Sequence, residues 1–151
     1  MALRIDIDDI RGWLGAWSET PAAAGIRARA LATAMAHDHL RADHDVIVAQ
    51  AYGQPDHLDE LAALAQEVDA AYFEIALMAD AASTLERFTS RGGPRLDEAL
   101  AGAEGLEAIA AFGEQIEHMA RTRPQSRFVE SIPGDVAATY ELLLDALRHP
   151  A

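Results

Sequence analysis

Short apolar segments alternate with longer helical segments along this chain, and this order is the feature that most constrains its fold. Residues 2–8 alternate apolar with charged side chains, which is the period of a strand with one buried face. Residues 45–50 and 71–78 are short apolar runs of the kind that form buried parallel strands, and residues 127–131 resemble a last strand.

Helical patterns fill the intervals between these strands. The most regular is an alanine-rich stretch with a proline in its first turn, and aspartates at the starts of other segments predict helix caps. The glycine-containing segment Leu96–Met119 predicts two short helices or a mobile helical hairpin. The other predicted helices are Pro21–Arg41, Asp56–Val68, Asp80–Arg91 and a final helix after Asp135 with Val136, Tyr140, Leu143, Leu144 and Leu147 on one face.

Strands separated by helices of ten or more residues are typical of right-handed crossovers between parallel strands. We therefore predict one α/β domain over residues 1–151, with a mostly parallel four-stranded sheet and helices on both of its faces.

The net negative charge of the chain disfavours two classes of binding partner, nucleic acids and anionic membranes. The sequence has 25 acidic and 12 basic residues and a formal net charge of −13, which repels phosphate backbones and anionic lipid headgroups. We expect no nucleic-acid partner and no membrane partner. There is also no signal-peptide pattern at the N-terminus and no run of 18 uncharged apolar residues, so we expect a soluble, cytoplasmic protein.

Lysine and cysteine, two residue types with distinctive reactive chemistry, are both absent from the sequence. All 12 basic residues are arginines, and there is no lysine and no cysteine. The absence of lysine excludes lysine Schiff bases and the lysine of a complete P-loop. The absence of cysteine excludes disulfides, thiolate nucleophiles and cysteine zinc sites.

The acidic end of the first predicted strand is the sharpest candidate site. Asp8 and Asp9 follow the strand, and Arg11 lies three residues beyond Asp8. Ligands of open α/β sheets bind outside the carboxyl ends of the strands, where a carboxylate can accept a hydroxyl proton and an arginine can bind an anion. The alternative interpretation is a helix cap with a surface salt bridge.

Residues 3–11, with their Asp-Asp-x-Arg pattern, resemble the second strand of the P-loop small-molecule, nucleotide and polynucleotide kinases among the AAA family ATPases. Residues 44–50 and 71–78 are similar to the next two strands of those kinases. Residues 84–91 are similar to their arginine-bearing lid helix, and residues 127–147 to their last strand, base-side loop and terminal helix.

The resemblance implies an ATP- and Mg²⁺-dependent kinase that phosphorylates a small-molecule hydroxyl. Position by position, it makes Asp8 the general base, Arg11 a substrate contact, and Arg87 and Arg91 lid arginines that stabilise the transferring phosphoryl group. The alternative for the two lid arginines, with Glu86 beside them, is a solvated helix face.

The chain departs from this family at the phosphate-binding loop. The strand, Gly-x-x-x-x-Gly-Lys-Ser/Thr loop and helix with which the family begins are not in the sequence. By resemblance the absent strand lies in the middle of the sheet, so the strands on either side would lose a ladder partner. We therefore expect a truncated or degenerate relative without turnover.

Two other interpretations stay open. One is a non-enzymatic interaction module whose exposed sheet edges pair with a second copy or with a partner chain that completes the sheet. The other is an unrelated small α/β domain whose acidic surface serves solubility. No metal site is predicted, because His37 and His39 point to different sides of a helix and no His-x-x-x-His spacing occurs.

Overall fold

The structure is a computed structural model that describes residues 1–80, 83, 84, 86 and 103–148. The chain divides into two compact units, Met1–Tyr72 (unit 1) and Phe73–Ala151 (unit 2). The prediction that residues 1–151 form one domain stays a prediction, and the two units are described separately.

Unit 1 contains one pair of parallel strands and three helices. The pairing aligns Leu3 with Val46 and Ile5 with Val48, and the amide of Ala49 extends the ladder by donating to the carbonyl of Ile5 at 3.1 Å. In chain order the elements are β1 (Leu3–Ile5), α1 (Ile7–Trp13), α2 (Pro21–Arg41), β2 (Val46–Val48) and α3 (Asp56–Glu67).

The core of unit 1 forms where α2 packs against the strands and α1. Alanine recurs at every fourth position of α2, so the buried side chains form one stripe along the helix. Because alanine is small, this stripe allows the helix backbone to approach β1 and α1 closely. The buried core cluster consists of Ile5, Ile7, Ile10, Ala28, Ala32, Ala36 and Leu64.

Unit 2 contains the second pair of parallel strands, again flanked by helices. Its strands are β3 (Glu74–Met78) and β4 (Ser126–Glu130), and its helices are α4 (Ala103–Thr122) and α5 (Val136–Arg148). Adjacent residues of β4 point to opposite faces of the pair. The ring of Phe128 contacts Arg121 of α4, whereas Arg127 donates to the carbonyl of Ala146 in α5, so these helices contact opposite faces.

A buried ion pair fixes the start of the β3–β4 ladder. Arg123 donates from Nε and Nη2 to the two carboxylate oxygens of Glu74 at 2.7 and 2.9 Å, and the Ser126 hydroxyl also donates to that carboxylate. The exposed fractions of the Arg123 and Glu74 side chains are 9% and 7%. Because Glu74 is also the register partner of Ser126, this polar cluster holds the two strands at their first paired position.

The α/β class and the parallel direction of the strands are confirmed. Each strand begins within three residues of its predicted start, and α2 has its predicted bounds. The predicted four-stranded sheet is wrong, because the four strands form two separate two-stranded sheets. The strand–helix alternation predicts parallel strands, but it does not predict which strands are neighbours, since pairing joins residues distant in sequence.

The predictions for α4 and α5 differ from the structure in part. Within the described part of Leu96–Met119, α4 is one continuous helix, because a glycine inside a helix costs only about 1 kcal/mol and Gly113 faces open space. The predicted apolar face of the last helix is partly wrong, since Val136 and Tyr140 are exposed.

Aspartates cap two of the predicted helices as expected, but the predicted aspartate cap of α3 is wrong, because Pro55 is its N-cap and no side chain caps it. The amide of Ser83 donates to Asp80 at 2.8 Å, and the amide of Ala138 donates to Asp135 at 2.8 Å. The turn before α5 uses Gly134 at a φ of 73°, a conformation that side chains disfavour. Among the described helices, none is both long and apolar enough to cross a membrane.

Candidate functional site

The first part of the candidate site lies where β1 passes into α1. The strand ends at Ile5, earlier than the sequence indicates, because the carboxylate of Asp6 accepts the amide of Asp8 at 3.0 Å and caps α1. The prediction that Asp8 ends the strand is therefore wrong by one turn. Asp8 lies in the first turn of α1, so Asp6 rather than Asp8 is the helix cap.

Asp8 and Arg11 form an ion pair beside this cap. The Arg11 Nη2 atom lies 3.1 Å from Asp8 Oδ1, across one turn of α1. Asp9 is directed to a different arginine, since its carboxylate lies 3.9 Å from Arg4. The Asp8 side chain is 58% exposed, so one carboxylate can contact Arg11 and still be open to a molecule from solvent.

Arg11 is held more firmly than a surface arginine. Its guanidinium carbon lies 5.0 Å from the ring centre of Trp17, a cation–π contact. Its Nε atom is buried and has no hydrogen-bond partner in the described part of the chain. The guanidinium therefore retains an unused donor at the carboxyl end of β1.

The second part of the site lies just beyond the end of β2. Tyr52 and His57 flank the start of α3, with their ring centres 5.5 Å apart. His57 is only 5% exposed, and its Nδ1 lies 3.0 Å from Glu60 Oε2. Because a carboxylate only accepts, Nδ1 carries the proton of this hydrogen bond. Tyr52 packs against the apolar core through its ring.

Three buried side-chain polar atoms lack hydrogen-bond partners within the described residues, namely Arg11 Nε, Tyr52 Oη and His57 Nε2. All three follow the carboxyl ends of β1 and β2, which share one edge because the strands are parallel. An unsatisfied buried polar group costs about 1–3 kcal/mol. Their occurrence at the edge where open α/β sheets bind ligands makes this edge the candidate site.

The electrostatics of this edge are acidic, with one protonated tyrosine. Aspartates occupy the first turns of both α1 and α3, namely Asp8, Asp9, Asp56 and Asp59. Burial raises the pKa of Tyr52 to about 12, although the nearby positive charge of Arg29 offsets part of this effect. The Tyr52 hydroxyl is therefore a neutral donor across the physiological pH range.

The lid arginines predicted from the sequence, Arg87 and Arg91, lie outside the described residues. The structure brings Asp8 and Arg11 together and leaves the roles of all four residues as predictions. In the described ranges, no three metal-binding side chains come close enough to hold an ion.

A hollow of about 440 Å³ opens at the opposite end of unit 1, where α2 and α3 end. This is the amino end of β2, away from the edge at which parallel sheets bind ligands. We therefore do not assign it to the site. Its lining residues are His37, Leu40, Arg41, Asp43, Glu67, Val68 and Asp69.

Sequence reasoning missed Tyr52, His57 and Trp17. The pattern in residues 52–57 indicates a turn and the start of a helix, and nothing in it shows that two polar atoms become buried. Trp17 lies beyond the end of α1 at Trp13, and the approach of its ring to Arg11 has no signal in the sequence.

Comparisons were made with protein-family models, with curated proteins and with solved structures. No family model matches this chain, and neither the curated proteins nor the solved structures gave a significant match.

Proposed function

We propose that this chain is the acceptor-binding part of a P-loop-kinase-like protein, and that it binds a small molecule through a hydroxyl. The observation that carries the proposal is the Asp8–Arg11 ion pair at the carboxyl edge of a parallel strand pair. In this role the Asp8 carboxylate accepts the proton of the acceptor hydroxyl as that oxygen becomes a nucleophile. Arg11 orients the acceptor with its guanidinium.

The observed strand pairing is one argument for the proposed relationship to P-loop kinases. By resemblance, the absent strand lies in the middle of the sheet, so the strands on either side of it would lose a ladder partner. The observed ladders join β1 with β2 and β3 with β4, and none joins β2 with β3 among the described residues. This is the pairing expected of such a sheet when its central strand is not supplied by these residues.

The residues described do not fit ATP and Mg²⁺ by themselves. The two strand-to-helix junctions of unit 1 carry aspartates in the following helical turn, and such carboxylates repel phosphate. There is no lysine to hold a β- or γ-phosphate. The proposal therefore assigns no phosphoryl-transfer step to this chain alone, and calorimetry should detect weak ATP binding or none. Magnesium-dependent micromolar binding would overturn this part of it.

The direct test supplies the phosphate-binding segment. A strand, a Gly-x-x-x-x-Gly-Lys-Thr loop and a helix from the DNA upstream of the Met1 codon, if encoded in frame, are joined ahead of this chain, and phosphorylation of hydroxyl compounds is measured. Asp8→Asn should lower turnover about 10²–10⁴-fold with nucleotide affinity nearly unchanged. Arg11→Ala should raise the acceptor KM more than it lowers turnover.

Asp9→Asn is the matched control, because Asp9 is adjacent to Asp8, similarly exposed and paired with Arg4 instead. It should leave turnover nearly unchanged. Equal turnover in Asp8→Asn and Asp9→Asn would rule out Asp8 as the base. An in-frame stop codon immediately upstream would instead favour a degenerate or non-enzymatic protein.

A second candidate function is a non-enzymatic interaction module. The observation that favours it is the apolar surface of unit 2, where α5 has no fully buried residue and Leu77, Val136, Tyr140 and Leu142 are exposed. Light scattering over a concentration series tests it. Self-association that Val136→Glu and Leu142→Glu abolish would support this function, and a monomer at all concentrations would exclude pairing with a second copy.

A further inference from the structure

We propose that Tyr52 and His57 form a hydroxyl-binding subsite, and that the acceptor is therefore a molecule with several hydroxyl groups, such as a sugar or a cyclic polyol. This inference rests on the proposed function for its link to Asp8, but the subsite itself rests on the geometry of unit 1.

His57 supplies a hydrogen-bond acceptor. With Nδ1–H donating to Glu60, the tautomer that this hydrogen bond selects has its lone pair on Nε2. That atom is buried and has no partner among the described residues. Glu60 thus fixes both the orientation of the ring and the tautomer, as second partners of functional histidines do.

Tyr52 supplies the complementary donor. Its hydroxyl is buried and has no partner among the described residues. The residue lies in the segment 49–55, which forms neither helix nor strand, beside Gly53. In this proposal a ligand reaches the buried atoms when the Tyr52 side chain rotates away from the core, and Tyr52 itself belongs to neither β2 nor α3.

A ligand hydroxyl matches this pair better than other groups do. It accepts a hydrogen bond from Tyr52 Oη–H and donates one to His57 Nε2. A carboxylate has no proton for Nε2, and an ammonium group has no lone pair to accept the hydrogen bond of the Tyr52 hydroxyl.

The position of the pair explains why the acceptor should have more than one hydroxyl. Asp8 follows β1, and Tyr52 and His57 follow β2, which is the neighbouring strand. Neighbouring strands lie about 4.8 Å apart, so the segments that carry these residues leave the strand pair side by side at one edge. One of its hydroxyls would face Asp8 while another is held by Tyr52 and His57.

The test uses the full chain labelled with ¹⁵N, and the imidazole signals of His57 are followed during titration. The probes are D-ribose, D-glucose and myo-inositol at millimolar concentrations, with tetrahydropyran as a ring that lacks hydroxyls. At least one of the three polyols should shift the His57 Nε2 signal in a saturable manner, and tetrahydropyran should not.

Tyr52→Phe and Tyr72→Phe are the matched variants. Tyr52→Phe removes an unpartnered hydroxyl, so it should lower polyol affinity about tenfold while the thermal midpoint stays the same or rises. Tyr72→Phe removes a hydroxyl that donates to the carbonyl of Leu58 at 3.4 Å, so it should lower the midpoint and leave polyol affinity unchanged.

The subsite is overturned if none of the three polyols shifts the His57 signal, if tetrahydropyran shifts it equally, or if Tyr52→Phe retains full affinity. A Tyr52→Phe variant that is destabilised as much as Tyr72→Phe would also overturn it, since the hydroxyl would then have a structural partner. Polyol binding that persists when the extended protein shows no phosphorylation contradicts the proposed kinase function alone, and the subsite stands.

Discussion

In the described residues, each of the two units contains one pair of parallel strands, but different kinds of side chain are buried beside the two pairs. In unit 1, the strands and helices enclose a continuous apolar cluster that includes Ile5, Ile10 and the alanine stripe of α2. In unit 2, the first paired residues enclose the Glu74–Arg123 ion pair, and the fully buried apolar residues within its described part are Ala120 and Val129.

This difference predicts which interactions stabilise each unit. Burial of apolar surface is non-directional and tolerates small adjustments, so unit 1 has several residues that contribute in parallel. An ion pair buried in a low-dielectric interior is stable only while both partners are present. The stability of unit 2 should therefore be concentrated in a few residues, and substitutions can test this contrast.

Removing one partner of the buried ion pair should have the largest effect. Glu74→Ala leaves the guanidinium of Arg123 buried without its carboxylate and should lower the free energy of unfolding by about 3–5 kcal/mol. Urea unfolding followed by circular dichroism measures this. Tryptophan fluorescence separates the units, because both tryptophans lie in unit 1.

The control for that substitution is Glu117→Ala, which breaks the exposed Arg121–Glu117 pair of α4. Exposed pairs of this spacing contribute about 0.3–0.5 kcal/mol. If Glu74→Ala had no greater effect than Glu117→Ala, the ion pair would not be what holds unit 2 together.

Removing a core side chain of unit 1 should have the next largest effect. Ile10→Ala deletes a fully buried side chain and leaves a cavity, which should cost about 2–5 kcal/mol in fluorescence-monitored unfolding. Ile26→Ala, at an exposed position of α2, should change stability by no more than about 0.5 kcal/mol. Equal effects of the two substitutions would contradict the described core.

Two valines of unit 2 test how small its apolar core is. Val129 is 3% exposed and Val136 is 84% exposed. Val129→Ala should cost about 2 kcal/mol, from the lost burial and the cavity. Val136→Ala should be neutral or slightly stabilising, because alanine is the better helix former. A substantial loss of stability on Val136→Ala, measured by urea unfolding, would show that this valine is buried against a partner.

The helix caps should give the smallest effect, and here the units should behave alike. Asp6 caps α1 and Asp135 caps α5, each through a hydrogen bond to a backbone amide of the first turn. Each alanine substitution should cost about 1 kcal/mol, whereas asparagine should restore most of the loss. Hydrogen exchange of the first-turn amides measures this locally, and exchange that is unchanged in Asp6→Ala would exclude the cap.

Two of the caps and the bounds of the longest helix were predictable because they depend on neighbours in the sequence. The bounds of α2 follow from Pro21 and the alanine-rich pattern, and Asp80 and Asp135 are recognisable as cap residues. The candidate site was only half predictable. Asp8 and Arg11 interact across one helical turn, and their spacing is visible in the sequence. The burial of Tyr52 and His57 depends on packing and leaves no pattern.

By itself, the sequence determined the alternation of strands and helices, the parallel direction of the strands and the acidic character of the site, because these follow from local periodicity, crossover handedness and composition. The tertiary structure decided which strands pair. It also brought Arg123 to Glu74 across 49 residues and left the Tyr52 hydroxyl and His57 Nε2 buried without partners among the residues it describes. The physical reason is that strand edges, buried charges and desolvated polar atoms find their partners only when distant segments pack together. The periodicity of one segment does not predict which distant segment it will contact.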